Sequence, residues 1–244
     1  MAAGLHIRDA QISLRDGDRA FRLSLEALTL QAGQAVALTG ASGSGKTLLL
    51  ELLGLLRAPG AGTGYDWVDD QGAKSDLAGL WQKGARTPEL AQKRGQVFGF
   101  VPQTGGLMPF LTVAENVALP QRLNKVEDPA WVRDLLDRLG LGEVTRLLPG
   151  ALSIGQRQRT AIARSLAHRP PFVIADEPTA ALDPESADKV LELLLETARD
   201  QGSGVILSSH DIDRIARFGI TRITLGTSTQ KDGSVLSTLE GPPC

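Results

Sequence analysis

"AVALTGASGSGKTLLLELLGLL", residues 35–56, passes from an apolar run through a glycine-rich turn into a leucine-dense run. Ala35–Gly40 is apolar almost throughout, the pattern of a strand buried on both faces in a sheet covered by helices. The run from Lys46 onward reads as a helix. Between them Gly40–Thr47 matches G-x-x-x-x-G-K-[ST] at a strand-to-helix junction, the context in which that spacing makes a phosphate cradle. Gly40, Gly43 and Gly45 allow backbone angles closed to other residues, so N–H groups of the loop and helix start can approach phosphate oxygens. Ser42, Ser44 and Leu48 belong to the same cradle. Lys46 is expected to reach the β- and γ-phosphates, and Thr47 to place its hydroxyl on Mg²⁺. A merely flexible Gly/Ser turn is the competing reading, and the flanking strand and helix disfavour it.

Two further short apolar runs, "FVIADEP" (172–178) and "GVILSSH" (204–210), read as buried strands of the same sheet. "PESADKVLELLLETARD" follows the first of them, with Asp183 as N-cap and Pro184 at the first helical position. Val190, Leu191, Leu194, Leu195 and Ala198 mark one apolar face of that helix. The result is a layered α/β core. Residues 104–165 read mainly helical and form an inserted lobe. Residues 58–96, rich in glycine and polar groups with Trp67 and Trp81 as isolated anchors, yield no clear element. Beyond "RITLG" the tail offers two weak edge strands.

Phosphoryl transfer needs a carboxylate on the metal side and a group to orient the attacking water. The end of "FVIADEP" supplies Asp176 for the first and Glu177 for the second. Adjacent acids at a strand end are otherwise solvated or capping residues, and the phosphate loop in the same chain favours catalysis. "GALSIGQRQR" (150–159) is a second small-residue turn running into a helix, able to hold an anion on free N–H groups. One chain thus has two anion-holding helix starts.

The 244 residues suffice for one large domain, or a core with a lobe, without staples. With 26 basic and 28 acidic residues, a formal charge of −2, there is no general attraction to nucleic acid, and no nucleic-acid partner is expected. The single cysteine, Cys244, excludes an internal disulfide framework or a cysteine zinc site. The start lacks a secretory pattern. The most apolar run, "LLLELLGLLRA", is broken by Glu51 and too short to span a bilayer. Any membrane role is expected to come through a partner.

The ordered set "GASGSGKT", "VPQ", "LSIGQRQR", "VIADEP", "ALD" and "SSH" resembles the nucleotide-binding subunit of an ATP-binding cassette (ABC) transporter, from about Ala35 to Leu225. The resemblance implies a P-loop NTPase core with a mixed, largely parallel sheet, an N-terminal antiparallel β part and an inserted α-helical subdomain. It implies one ATPase domain over 1–244, with the α/β core at about 1–103 and 166–244 and the lobe at about 104–165. ATP and Mg²⁺ are the expected cofactors, with Thr47, Gln103 and Asp176 on the metal.

The resemblance also explains the second anion site. Ser153, Gly155 and Gln156 of one subunit would close over ATP held by the phosphate loop of another, making ATP the glue of a head-to-tail pair. Gln103 resembles the glutamine that reaches the metal or the attacking water, and Asp183 lies in the loop that links the two sites. His210 resembles the switch histidine that contacts the γ-phosphate and Glu177. Expected partners are a transmembrane permease subunit and a second nucleotide-binding subunit, either a second copy or a paralogue. The expected location is cytoplasmic, peripheral on the inner face of the inner or plasma membrane.

Two positions depart from the family pattern. Ile154 stands in the signature where glycine is usual, and where an adenine-stacking aromatic belongs "QISLRDGDRAF" offers Leu14 or Arg15, with Phe21 as a substitute. "GGLMPFLTVAENVALP" (105–120) resembles the lipoprotein-releasing and macrolide-exporting branch. There Met108, Phe110 and Leu111 are either contacts for a short cytoplasmic helix of the membrane partner or ordinary packing. The function implied is to power export or lipoprotein release, the other readings being an ABC-type ATPase of a non-transport membrane complex or a soluble one, as in DNA repair or on ribosomes. "NKVE" (124–127) falls one residue short of a guanine-reading motif and follows no apolar strand, which rejects a GTPase. A small-molecule kinase has no need of the signature and strand-end histidine.

Overall fold

The computed structural model describes residues 3–17 and 19–240; Cys244 lies outside them. The chain opens with β1 (Gly4–Asp16) and β2 (Arg19–Gln31), a long antiparallel pair. Their buried side chains change parity midway: Leu5 and Ile7 give way to Ala10 and Ile12, and opposite them Leu30 and Leu28 give way to Leu25 and Leu23. Asp9, at φ 53°, sits at the switch.

Next come β3 (Ala35–Gly40) and helix α1 (Lys46–Leu53), which ends at Gly54. A side chain at Gly54 would collide with the ring of Phe100, so glycine lets this helix lie on the sheet. The stretch 58–96 contains β4 (Gly64–Val68), β5 (Lys74–Asp76) and α2 (Pro88–Val97), the last capped by the Thr87 hydroxyl. Then follow β6 (Phe98–Val101), α3 (Val113–Asn124), α4 (Pro129–Arg138), α5 (Ile154–Leu166) and β7 (Phe172–Ala175). The chain continues through α6 (Pro184–Asp200), β8 (Gly204–Ser208), α7 (Ile212–Arg217), β9 (Thr221–Thr229) and β10 (Val235–Glu240).

All ten strands form one sheet in the order β5-β4-β1-β2-β10-β9-β3-β8-β7-β6. The run β9-β3-β8-β7-β6 is parallel throughout, while β5-β4-β1-β2 is antiparallel. This is the mixed sheet with an N-terminal antiparallel part that the family resemblance implies. The tail strands correct one expectation. β10 is no edge strand: it lies parallel to β2 and antiparallel to β9, and joins the two halves of the sheet.

Apolar clusters fill both faces. One gathers α1, β1 and β2 around Leu49, Leu53 and Tyr65; the other packs α5 and α6, through Ile162 and Leu194, on the opposite side. Apolar β7, and β8 apolar up to Ser208, are buried between them. The sheet register aligns the carboxyl ends of β3, β8, β7 and β6 along one edge, where parallel α/β sheets hold their ligands.

Candidate functional site

At that edge Gly40, Gly43 and Gly45 all have φ in the left-handed region, at 141°, 77° and 92°. A Cβ on Gly40 would lie 2.5 Å from the Leu225 carbonyl oxygen, and one on Gly45 would lie 2.9 Å from the Phe21 ring. Phe21 therefore backs the loop. Ser42 and Gly43 are exposed, whereas Ser44 is fully buried and its hydroxyl has no partner among the described residues. Leu48 is buried in the first turn of α1.

Lys46 folds back over the loop, its ammonium donating to the carbonyls of Gly40 and Ala41, both at 3.1 Å. Burial pulls its pKa below the ordinary lysine value, with Glu177 and then Asp176 opposing the shift. A carbonyl-bonded ammonium with a donor to spare is poised to take an anion.

Thr47 donates its hydroxyl to Asp176 Oδ2 at 2.9 Å. Asp176 Oδ1 accepts from the Ser208 hydroxyl at 2.6 Å, and that hydroxyl in turn accepts the Glu177 N–H at 2.8 Å. Glu177 lies just past the end of β7 at φ 45° and meets His210 Nε2 through Oε1 at 2.6 Å. One bonded chain thus runs Thr47–Asp176–Ser208–Glu177–His210 across the ends of three parallel strands. A cleft of about 300 Å³ is lined by Gly40, Ala41 and His210, so the histidine and the phosphate loop face common space.

Ser208 was missed as a site residue. Its signal was a lone hydroxyl closing an otherwise apolar strand, and it is fully buried.

Gln103 lies exposed in the turn after β6, and its side chain makes no hydrogen bond among the described residues. Leu14 and Arg15 are exposed near the β1–β2 turn.

Ser153, Gly155 and Gln156 are gathered elsewhere, at the N-terminus of α5. Ser153 Oγ accepts from Gln156 N–H at 3.2 Å while Gln156 Oε1 accepts from Ser153 N–H at 2.9 Å, a reciprocal cap. Ile154 beside it is 52% exposed, and a Cβ on Gly155 would touch only Leu182, at 3.9 Å. Asp183 caps α6 by accepting Ser186 N–H at 3.0 Å, which holds its carboxyl below the ordinary value. Ser153, Gly155 and Asp183 line one cleft of about 540 Å³ that contains no residue of the phosphate loop. Within one chain the phosphate-loop residues Gly40 and Ala41 and the Ser153 turn open into separate clefts.

Asn124 of "NKVE" ends α3 with its amide on the carbonyls of Gly95 and Pro120, so it is spent on structure.

Comparison with known proteins gives the family. Residues 24–180 match the family model described as ABC transporter. The lipoprotein-releasing system ATP-binding protein LolD 1 of Caulobacter vibrioides is 40% identical over 228 residues, 88% of this chain and 86% of that protein. LolD of Gluconobacter oxydans is 39% identical, covering 96% of both. Among solved structures, a dimeric post-hydrolysis state of the ATP-binding cassette MJ0796 bound to ADP and Pi superposes with a TM-score of 0.73 at 31% identity, over 95% of this chain and 96% of that one. From the phosphate loop, the bonded acidic cluster and these matches together, the chain belongs to the ABC transporter family, as an ATP-binding and ATP-hydrolysing subunit.

Proposed function

We propose that this chain works as one of a pair of ATPase subunits on the cytoplasmic face of a membrane permease and drives lipoprotein release. The observation that carries the chemistry is the bonded chain from Thr47 to His210. In this reading the loop N–H groups and Lys46 bind the phosphates of ATP. Glu177 orients a water against the γ-phosphorus and takes its proton as the bond to the bridging oxygen breaks, leaving ADP and phosphate. His210 holds the Glu177 carboxylate in place.

The residues present fit a divalent cation. Among the described residues no group of three or more His, Cys, Asp or Glu side chains gathers to hold a metal by itself. A hydroxyl and one carboxylate already in contact, Thr47 and Asp176, suit an ion that takes most of its ligands from phosphate and water. Thr47 and Asp176, with Gln103 swung in, would hold Mg²⁺, which supplies neutralisation of phosphate charge.

Pairing is supported by the separation of the two clefts and by the dimeric form of the similar cassette. Ser153, Gly155 and Gln156 of one chain would then cover the phosphates held by the other, with Asp183 between the two sites. Ile154, pointing to solvent, adds apolar surface to that junction. The lobe at about 104–165 and the core at about 1–103 and 166–244 act as one ATPase unit.

Assignment to lipoprotein release rests on the LolD relatives. No described helix is long and apolar enough to cross a membrane. Phe110, 73% exposed, and Met108 sit on a loop stitched by buried Asn116, whose amide bonds the carbonyls of Met108, Leu111 and Thr112. A rigid loop presenting an aromatic ring favours contact with the permease over internal packing.

Two measurements test the reading. Lys46→Ala should weaken ATP binding more than about tenfold by calorimetry, as loss of a charge-assisted bond implies, and unchanged affinity contradicts the phosphate-loop role. The tagged chain purified from membranes of its host should bring down a multi-span permease of the lipoprotein-releasing kind; recovery with ribosomes or DNA-repair proteins instead would overturn the transport assignment.

A further inference from the structure

We propose that Ser237, far from every motif, is a positioning residue for nucleotide phosphate: its hydroxyl fixes the orientation of the Ser44–Gly45 peptide in the phosphate loop. Ser237 lies in the middle of β10, fully buried, paired with Leu23 of β2 and Thr227 of β9. Its Oγ donates to the Ser44 carbonyl at 2.6 Å, across 193 residues of sequence.

That carbonyl lies outside the helix ladder. The first helical bond of α1 is closed by Leu49 N–H onto Gly45 O at 2.9 Å, one residue further along. Ser237 therefore supplies the donor that the backbone does not.

Peptide planarity gives the bond its consequence. In a trans peptide the C=O and the following N–H point opposite ways, and the described residues contain no cis bond. Holding Ser44 C=O toward β10 aims Gly45 N–H away from it, and that N–H has no partner among the described residues. Gly45, at φ 92°, follows this peptide, and Gly43, at φ 77°, stands just ahead of Ser44. Glycines so placed let the plane flip at small cost, and a flipped peptide would present a carbonyl to the phosphates. Without the Ser237 hydroxyl the Ser44 carbonyl would be left unpaired against the protein interior, and the loop would shift to satisfy it. The inference rests on reading Gly40–Leu48 as a phosphate cradle.

The test uses the full chain. Ser237→Ala should raise the Kd for MgADP and MgATP about fivefold by calorimetry, the size set by one buried hydrogen bond. The KM for ATP should rise in parallel, with kcat within about twofold, because the N–H serves bound phosphate before and after the chemical step. Ser237→Thr keeps the donor and should restore wild-type affinity. A lowered melting temperature with unchanged Kd, or equal weakening in the Ala and Thr variants, would overturn the role. If the alanine variant does not fold, Ser237→Cys, of similar volume and far weaker as a donor, carries the same expectation. Lys46→Ala separates the two levels: normal ADP binding there removes the cradle itself, whereas lost binding there beside a normal Ser237→Ala removes only the part assigned to Ser237.

Discussion

Glu177 holds φ at 45°, a conformation that costs a non-glycine residue energy and is kept where the surroundings enforce it. Here the Ser208 hydroxyl fixes its N–H and His210 its carboxylate. Glu177→Gln keeps an acceptor for His210 and loses the base. It should bind ATP with little change while kcat falls by about 10²–10⁴-fold, the usual contribution of a general base; steady-state turnover beside equilibrium binding checks this. Lys46, Asp176 and Glu177 could be singled out in the sequence because phosphate chemistry calls for those side-chain types beside a strand end, and His210 only through the family resemblance. Ser208 and Ser237 were not, since a buried serine in a strand acquires meaning only from its partner, and those partners lie 32 and 193 positions away. Ser153 was legible as a helix start, but its hydroxyl proves to be engaged in capping Gln156. Any contact it makes across an interface must share that oxygen.

Among elements, α6 and α7 carry the segments that flank the edge holding Glu177 and His210. Arg214 of α7, nearly buried, bonds Asp188 of α6 at 2.6 Å and Asp211, next to His210, at 2.7 Å. Arg214 first, and then Arg217, holds the Asp188 carboxyl below its ordinary value. A carboxylate with its folded pKa depressed stabilises the fold above the unfolded value, ~3.9, and the benefit fades as pH falls through the folded one. Asp188→Asn should therefore melt lower than wild type at pH 7, with the gap closing below about pH 4; melting temperature against pH reads this out, and a gap independent of pH contradicts it. α6, β7 and β8 were legible because each is periodic or uniformly apolar. β1 and β2 were expected only through the family resemblance, as an antiparallel N-terminal part, because their buried positions switch parity at Asp9, which cancels the alternation that betrays a strand. α2 was overlooked although Thr87 and Pro88 form a helix start, since its only buried apolar side chains are Leu90 and Val97. β10 reads as an edge strand in the sequence because a strand's residues show its character and not its neighbours.

For the whole molecule the decisive feature is that the phosphate loop and the Ser153 turn of one chain face different clefts. In the proposed reading each half-site is completed by a second chain turned head to tail. The direct measurement is ATPase activity after mixing chains that carry Lys46→Ala with chains that carry Ser153→Arg, alone or assembled with the permease. Each variant by itself spoils every site in its own pair. A mixed pair concentrates both defects in one site and leaves the other intact, so a one-to-one mixture should regain about a quarter of wild-type activity. Activity that stays at the level of the two separate variants would contradict the shared site.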